Sequence, residues 1–473
     1  MRAPMVACVL AFAAPAQGAT IEVTTTNDEI TLDGDCSLRE AVEVARGNAA
    51  FDACPKGKAN ETDVIVLAPG TYALDLATTN ESNNQNGDLD VTGGGPIKFK
   101  GAGAGDTEIT TSLDDRILEA FAATSVKLQS LAVSGGEGGG SPADGGNVSI
   151  LGGGKLGLKN VTMLNGTAPN GGNINMSNDS RFKMVKSTLA GGTATQFYGG
   201  GIRIASSSTA TIKKSTLAAN DVAASAADGS GGAIYLDSES SLEITDTDIL
   251  GNEVNTTGLN EAEGGGILSQ GELTVKRSLV AGNDANAAVG AESEVGGGIF
   301  HVSSDPALIV NTTLANNAAA DLGGAYYTNS ATTAMSHVTF SNNDAAAGDH
   351  LFAGTTALVK LANSIVPSAL SGDACETPSD TIRSKGYNLF NLQDPDCPVK
   401  DTDEVVSDVG LDPDGLEDNG GFTSTIAIQK SSEAVNLVPL KKCGKSDGED
   451  QRGFKRPAGN RCDAGAFERG AKP

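Results

Sequence analysis

Apolar residues recur at every second position through most of the chain, in short runs such as "SLEITD" and "GELTVKR". That period belongs to strands, and turn residues bound each run. One stretch departs from it. In "DCSLREAVEVARGNAAFDAC", Ser37 followed by Glu40 forms a capping box, and Leu38, Ala41, Val42 and Ala45 make a helical stripe. The pattern predicts one helix near the start and strands thereafter.

The strands are organised by a repeat. A Gly-Gly pair followed by a small residue recurs at Gly145, Gly171, Gly199, Gly231, Gly264, Gly296 and Gly323, 26 to 33 residues apart. A second motif follows each pair, as in "NVTMLNG" from Asn160, "KSTLAAN" from Lys214, "RSLVAGN" from Arg277 and "HVTFSNN" from His337; a degenerate copy begins at Asn363. Such a period signals a solenoid, propeller or array. The units lack an amphipathic helix and are short for a four-stranded blade. Two or three strands per unit with Gly-rich corners predict one coil of a right-handed parallel β-helix, about ten coils in all. Coils stack about 4.8 Å apart, so equivalent residues form columns. Leu189, Leu217, Ile249, Val280, Leu314 and Phe340 make an inward column. Asn220, Asn252, Asn283, Asn317 and Asn343 make a column of stacked amides. Unit length varies just before the Gly pair, so insertions emerge on one side. The ends of such a stack need covering: the Ser37–Ala45 helix is expected to plug the first coil, and the region after about 370 to close the last.

Composition narrows the function. The chain has 473 residues, 61 glycines, no tryptophan and 4% aromatics, so its core must be aliphatic. A formal net charge of −26 argues against nucleic acid and anionic lipid surfaces as partners. "MRAPMVACVLAFAAPAQG" reads as a signal peptide cleaved after Gly18, and no other segment is long and apolar enough to span a bilayer. Six cysteines then remain, and an even number in an exported chain suggests disulfides. They admit fifteen pairings; position favours Cys36–Cys54, Cys375–Cys397 and Cys443–Cys462. The expected organisation is a signal peptide over 1–18, a helical cap over 19–60, a β-helix over 61–370 and a disulfide-bearing cap over 371–473.

"CSLREAV", "GYNLF", "DNGGFTST", "DQRGFKRP" and "CDAGAFE" together resemble bacterial exported β-helix proteins of the CSLREA and choice-of-anchor Q type, similar in look to polymorphic outer-membrane repeat proteins. The resemblance spans nearly the whole mature chain. It implies a right-handed parallel β-helix at or beyond the cell surface, often of suspected adhesin character, and it implies no single activity. Family chains often continue into an anchoring segment, whereas this sequence stops at "ERGAKP", so release or periplasmic residence is expected. Within "DQRGFKRPAGNRCDAGAFE", Arg452 is expected to pair with Asp463 or Glu468.

Two sets of residues could carry chemistry. The second-motif column places Lys214, Asp246 and Arg277 on successive coils. A Lys base, an Arg for a substrate carboxylate and an acid resemble the working parts of uronate-cleaving lyases; the alternative is a charge ladder between neighbouring strands. The other set is acidic and lies beside the Gly pairs. Asp228, Glu263 and Glu294 could hold Ca²⁺, with Glu261 and Glu292 on the same loop face. Tyr198, Tyr235, Tyr326 and Tyr327 are the local rings on which a sugar face could lie. His301, His337 and His350 fall at non-equivalent positions. The leading expectation is a monomeric, non-enzymatic binding or adhesion protein for a carbohydrate or cell-surface ligand. The alternative is a polysaccharide lyase or glycoside hydrolase acting on an acidic polysaccharide from the β-helix face.

Overall fold

The computed structural model describes residues 18–472 except 78–82, 123, 139–143, 226, 258–259, 288–292, 331, 378–379, 392–396 and 444–447. The proposed leader lies outside the described residues, as does Glu292.

The chain winds into a right-handed parallel β-helix. One sheet of 11 strands runs from Leu89–Val91 to Cys375–Glu376, each strand hydrogen-bonded to the coil before and after. A second, larger sheet carries the "SLEITD"-type strands, and a short 6-stranded sheet follows the Asn turns. Alternation decides the faces. Ile202, Ile234, Ile267 and Ile299 are register partners pointing inward and fully buried. The residue after each points outward, giving Asn175, Arg203, Tyr235, Leu268, Phe300, Tyr327 and Phe352 as one outer column.

Two of the corners that close each coil use different residues. The first glycine of each pair has positive φ, from 63° to 80° at Gly145, Gly171, Gly199, Gly231, Gly264, Gly296 and Gly323, a region only glycine enters cheaply. The second corner is made by the residue that opens each second motif. Asn160, Lys186, Lys214, Asp246, Arg277, Asn311, His337 and Asn363 all have φ between 47° and 55°. The sequence had suggested a charge ladder on neighbouring strands at these positions. They are bends, which explains why so many side-chain types share one place: the backbone conformation is common to them and the chemistry is not.

The amide column forms as expected. Asn220, Asn252, Asn283 and Asn317 each donate from Nδ2 to the Oδ1 of the next, at 2.8–2.9 Å. Each also donates to a backbone carbonyl inside the coil, as Asn252 does to Leu217. The column extends further back than the sequence showed. Asn147 donates to Asn173 and Asn173 to Asn220, at 2.7 and 3.2 Å. These two amides arise from the Gly-Gly turn, and Gly166 and Gly192 occupy the positions opposite them. A Cβ on Gly192 would sit 2.3 Å from the Asn173 amide nitrogen. Beyond Gly199 the arrangement inverts, and Cβ atoms built on Gly201, Gly266 and Gly298 would meet Asn220, Asn283 and Asn317 at 3.1–3.3 Å. One amide fills each level, supplied from either turn.

Helix α1 spans Leu38–Gly47. Its capping box is complete: Ser37 Oγ accepts from the Glu40 N–H at 3.1 Å, and Glu40 Oε2 accepts from the Ser37 N–H at 2.9 Å. Leu38, Ala41, Val42, Val44 and Ala45 are buried in the same core as Ile21, Ile65, Leu89 and Val91, so the helix plugs the first coil. The ladder itself starts ahead of the helix, with Thr20–Glu22 pairing with Asp63–Val66. The disulfides are Cys36–Cys54, Cys375–Cys397 and Cys443–Cys462, with Cα separations of 5.0, 5.0 and 5.7 Å. Disulfides indicate an oxidising compartment, extracellular or periplasmic. Among the described residues no helix is long and apolar enough to cross a membrane.

Coiling continues past 370, to the pairing of Leu389–Asn391 with Glu404–Val406. The Cys375–Cys397 bridge belongs to this last part, and both cysteines are buried in the main core. The chain beyond it then folds back along the coils as a lobe, whose core takes in Ile365, Leu389 and Val406 of the last coils. An antiparallel pair, Leu411–Glu417 with Thr425–Ile428, packs Ile426 onto Leu279, Ala281 and Ala315. Inside the lobe Arg452 pairs with Asp450 at 2.6 Å and stacks on Phe467, while Glu468 is paired with Arg456 at 3.4 Å. The expected carboxylate partners of Arg452, Asp463 and Glu468, are thus replaced by Asp450, which is close enough in sequence to bind the guanidinium locally.

Candidate functional site

Lys214, Asp246 and Arg277 do come together, at the edge of the C-terminal lobe. They line a cleft of about 400 Å³ with Phe422, Glu449 and Arg452 from the lobe. Arg277 is already engaged there. Its Nε donates to Asp246 Oδ1 at 2.7 Å, its Nη2 to Asp246 Oδ2 at 3.4 Å, and its Nη1 lies 3.4 Å from Glu449 Oε2. The same corner column continues as the seam that holds the lobe. Asn311 donates to the Glu449 carbonyl, Asn363 to the Lys442 carbonyl, and Thr313 to Gln451 Oε1. Lys214 makes no ion pair among the described residues. Arg277 therefore serves the docking of the lobe first.

The loop face holds a second cleft of about 400 Å³. Its floor is aromatic. Tyr198 stacks on Tyr235 with ring centroids 4.1 Å apart, and Phe197, 37% exposed, abuts Tyr198 at 5.6 Å. Tyr198, the register partner of Ser230, precedes one Gly pair and Tyr235 follows the next, so the two rings meet across the Gly turns of neighbouring coils. Arg203 lies over Tyr198 at 5.9 Å and is held by Asp144 at 3.1 Å. The polar rim is formed by Asp228, Ser230, Asn260, Glu263 and Gln270. Tyr235 donates to Gln270 Oε1 at 3.2 Å, and Ser230 to Glu263 Oε2 at 3.1 Å. Burial pushes the Glu263 carboxyl up to about 7, with Glu261 and Asp228 adding in the same direction against the Ser230 hydrogen bond. Glu263 thus sits between its charged and neutral forms near neutral pH.

The other loop-face acids are placed differently. Glu263 is the register partner of Val295, and Glu294 that of Ala262. The two glutamates are offset by one residue and point to opposite sides of their strands. Asp228 is exposed and accepts from the Glu261 N–H at 2.9 Å. The structure thus does not gather Asp228, Glu263 and Glu294 into one ligand set; the Gly pairs are in register, but acids at unequal distances before them are not. Tyr326 is fully buried in the core, where its hydroxyl bonds to Thr333. Tyr327 continues the outer aromatic column between Phe300 and Phe352. The three histidines occupy a strand, a corner and a Gly-pair turn, at His301, His337 and His350, and share no site.

Among the described residues, the trio of carboxylates that converges to metal-holding distance is Asp88, Asp90 and Glu119, beside helix α1. Nothing in the sequence pattern signals it, because the first coils lack the Gly pair that would have aligned these positions.

No family model matches the chain, and no curated protein matches it. Among solved structures it is similar to pectate lyase Pel9A, at 12% identity and a TM-score of 0.43 over 96% of this chain and 97% of that one. The PL6 family alginate lyase AlyGC aligns at 12% identity and a TM-score of 0.41, over 79% of this chain and 53% of that one. The catalytic domain of a GH87 alpha-1,3-glucanase aligns at 11% identity and a TM-score of 0.37, over 69% and 64%. Likenesses at this level carry no argument about the site.

Proposed function

We propose that this chain is an exported glycan-binding β-helix, which holds sugar units of a largely uncharged polysaccharide in the Tyr198–Tyr235–Glu263 cleft. The observation that carries the reading is the joining of a stacked ring floor to a rim of carboxyl, amide and hydroxyl groups. The C–H face of a pyranose packs against the electron-rich face of an aromatic ring, and its hydroxyls need donors and acceptors around the edge. The acids of the rim and the net charge of −26 disfavour a polyanion. Surface attachment or adhesion would be a use of this binding and needs no further residue. Affinity electrophoresis against a panel of neutral and uronate-containing polysaccharides tests the reading. Retardation by a neutral glycan is expected, and Tyr235→Ala should weaken it at least about tenfold, roughly 1.4 kcal/mol. Equal retardation of wild type and variant, or binding only to uronates, would reject it.

A second reading, glycoside hydrolysis, is favoured by Glu263 alone. A carboxyl held near neutrality is what a general acid requires, and Asp228 on the same rim would be the second carboxylate. Reducing ends released by wild type, and lost in Glu263→Gln while binding persists, would establish it. The uronate-lyase reading at Lys214 is weaker. Arg277 would have to leave Asp246 and Glu449 before it could hold a substrate carboxylate.

A further inference from the structure

Asp90 and Glu119 are register partners on neighbouring strands, and Asp88 lies in the bend just ahead of the Asp90 strand. One carboxylate oxygen from each of the three lies within 4.8 Å of the other two. The three residues are 4%, 0% and 4% exposed for Asp88, Asp90 and Glu119. Asp115, also buried, accepts from the Asp88 and Arg116 N–H groups at 3.2 and 2.9 Å.

Positive charge is short here. Arg116 reaches Glu119 at 2.7 Å, but its Nε is 3.7 Å from Asp88 Oδ2, beyond hydrogen-bond range. Arg39, the other guanidinium nearby, is spent on Asp28 and on the Gly87 and Asp88 carbonyls. Asp88 Oδ2 receives no hydrogen bond. Nor does Oδ1 of Asn84, a fully buried residue whose backbone N–H bonds to Asp90 Oδ2 at 3.0 Å. Four buried carboxylates around one guanidinium are costly unless further positive charge enters.

We propose that Asp88, Asp90 and Glu119 hold a calcium-class divalent cation that ties the first coils to helix α1. An all-oxygen set on partly irregular backbone suits a hard ion that takes six to eight ligands in flexible geometry. Protons are the competing remedy. Burial pushes Asp88 well above the usual carboxylate range and Glu119 to about 7, and a cation would displace those protons.

The test uses the mature chain, stripped with a chelator and dialysed, in calorimetric titration with CaCl₂ at pH 8 and thermal unfolding with and without the ion. One saturable binding event and a rise in melting temperature are expected. Glu119→Gln should weaken binding at least tenfold and remove the rise; Glu294→Gln, on the loop face, should leave both unchanged. Absence of binding and of any rise would overturn the proposal. So would loss of binding in Glu294→Gln with retention in Glu119→Gln. Should Glu119→Gln fail to fold, the decision passes to Asp90→Asn, and then to the Glu294→Gln chain, in which persistence of the calcium-induced rise supports the site and its loss rejects it.

Discussion

The corner cleft at Lys214 and the loop-face cleft at Tyr235 are similar in size and both carry carboxylates, but their charges are met in different ways. At the corner, Asp246 faces Arg277, and the returning lobe adds Glu449 to the same guanidinium. The lobe also covers the column onward through Asn311 and Asn363. On the loop face Glu263 has a hydroxyl and two further acids around it, and no ion pair among the described residues. The first cleft is largely complete without a ligand. The second is left with rings and an acid that burial holds near neutrality. A charged column is thus a poorer guide to a binding site than a group the fold leaves only partly satisfied.

The comparison can be broken first at Arg277. In Arg277→Ala, Asp246 and Glu449 lose their shared partner in a half-dry seam. We expect a loss of about 3 kcal/mol in unfolding free energy by urea titration, with loosening of the lobe. An unchanged midpoint would mean that the lobe is held by its apolar contacts alone.

The second expectation concerns pH. Glu263 and Asp248 are raised to about 7 and Asp284 to about 6, each mainly by burial. Acids raised in the folded state bind protons more tightly there than when unfolded. Between about 4.5 and 7 these acids bind more protons in the folded chain, so their contribution to stability falls as pH rises through that window; it is expected to outweigh the opposite trend of the buried His301, His337 and His350, whose charged forms burial disfavours. Urea midpoints should be higher at pH 5 than at pH 8, and Glu263→Gln should flatten part of the slope. A slope left unchanged by Glu263→Gln would contradict the burial of that carboxyl.

The smallest effect is expected at Lys214, which is half-exposed and has no ion-pair partner among the described residues. Lys214→Ala should change stability by less than about 0.5 kcal/mol and leave glycan retardation as in wild type. A large loss of binding would move the site to the corner cleft.

Much of the coil was legible because its signals are local or strictly repeated. Ser37 and Glu40 lie three residues apart, and the amides from Asn220 to Asn343 occupy one position of one motif. Cysteine position was enough for the pairings, since each pair closes a short loop. The lobe was hidden for the opposite reason: Thr313 and Gln451, 138 residues apart, meet through no shared motif. The left-handed corner was masked by its mixture of Asn, Lys, Asp, Arg and His. Asn147 and Asn173 escaped because they belong to a different motif from the amides they continue, and only the third dimension shows that both turns feed one column. The loop-face cleft was half visible. Tyr198, Tyr235, Asp228 and Glu263 were apparent as residues near Gly pairs, whereas the offset that separates Glu294 from Glu263 depends on register.

The two-sided supply of that amide column limits how such a chain can gain or lose repeats. Within 199–343 a whole unit could be duplicated or excised and every storey would still receive a single carboxamide. A crossover joining a unit from before Gly192 to one from after Gly199 at the wrong turn would bring two carboxamides to one storey or none. Length changes by recombination are therefore confined to blocks on either side of that boundary.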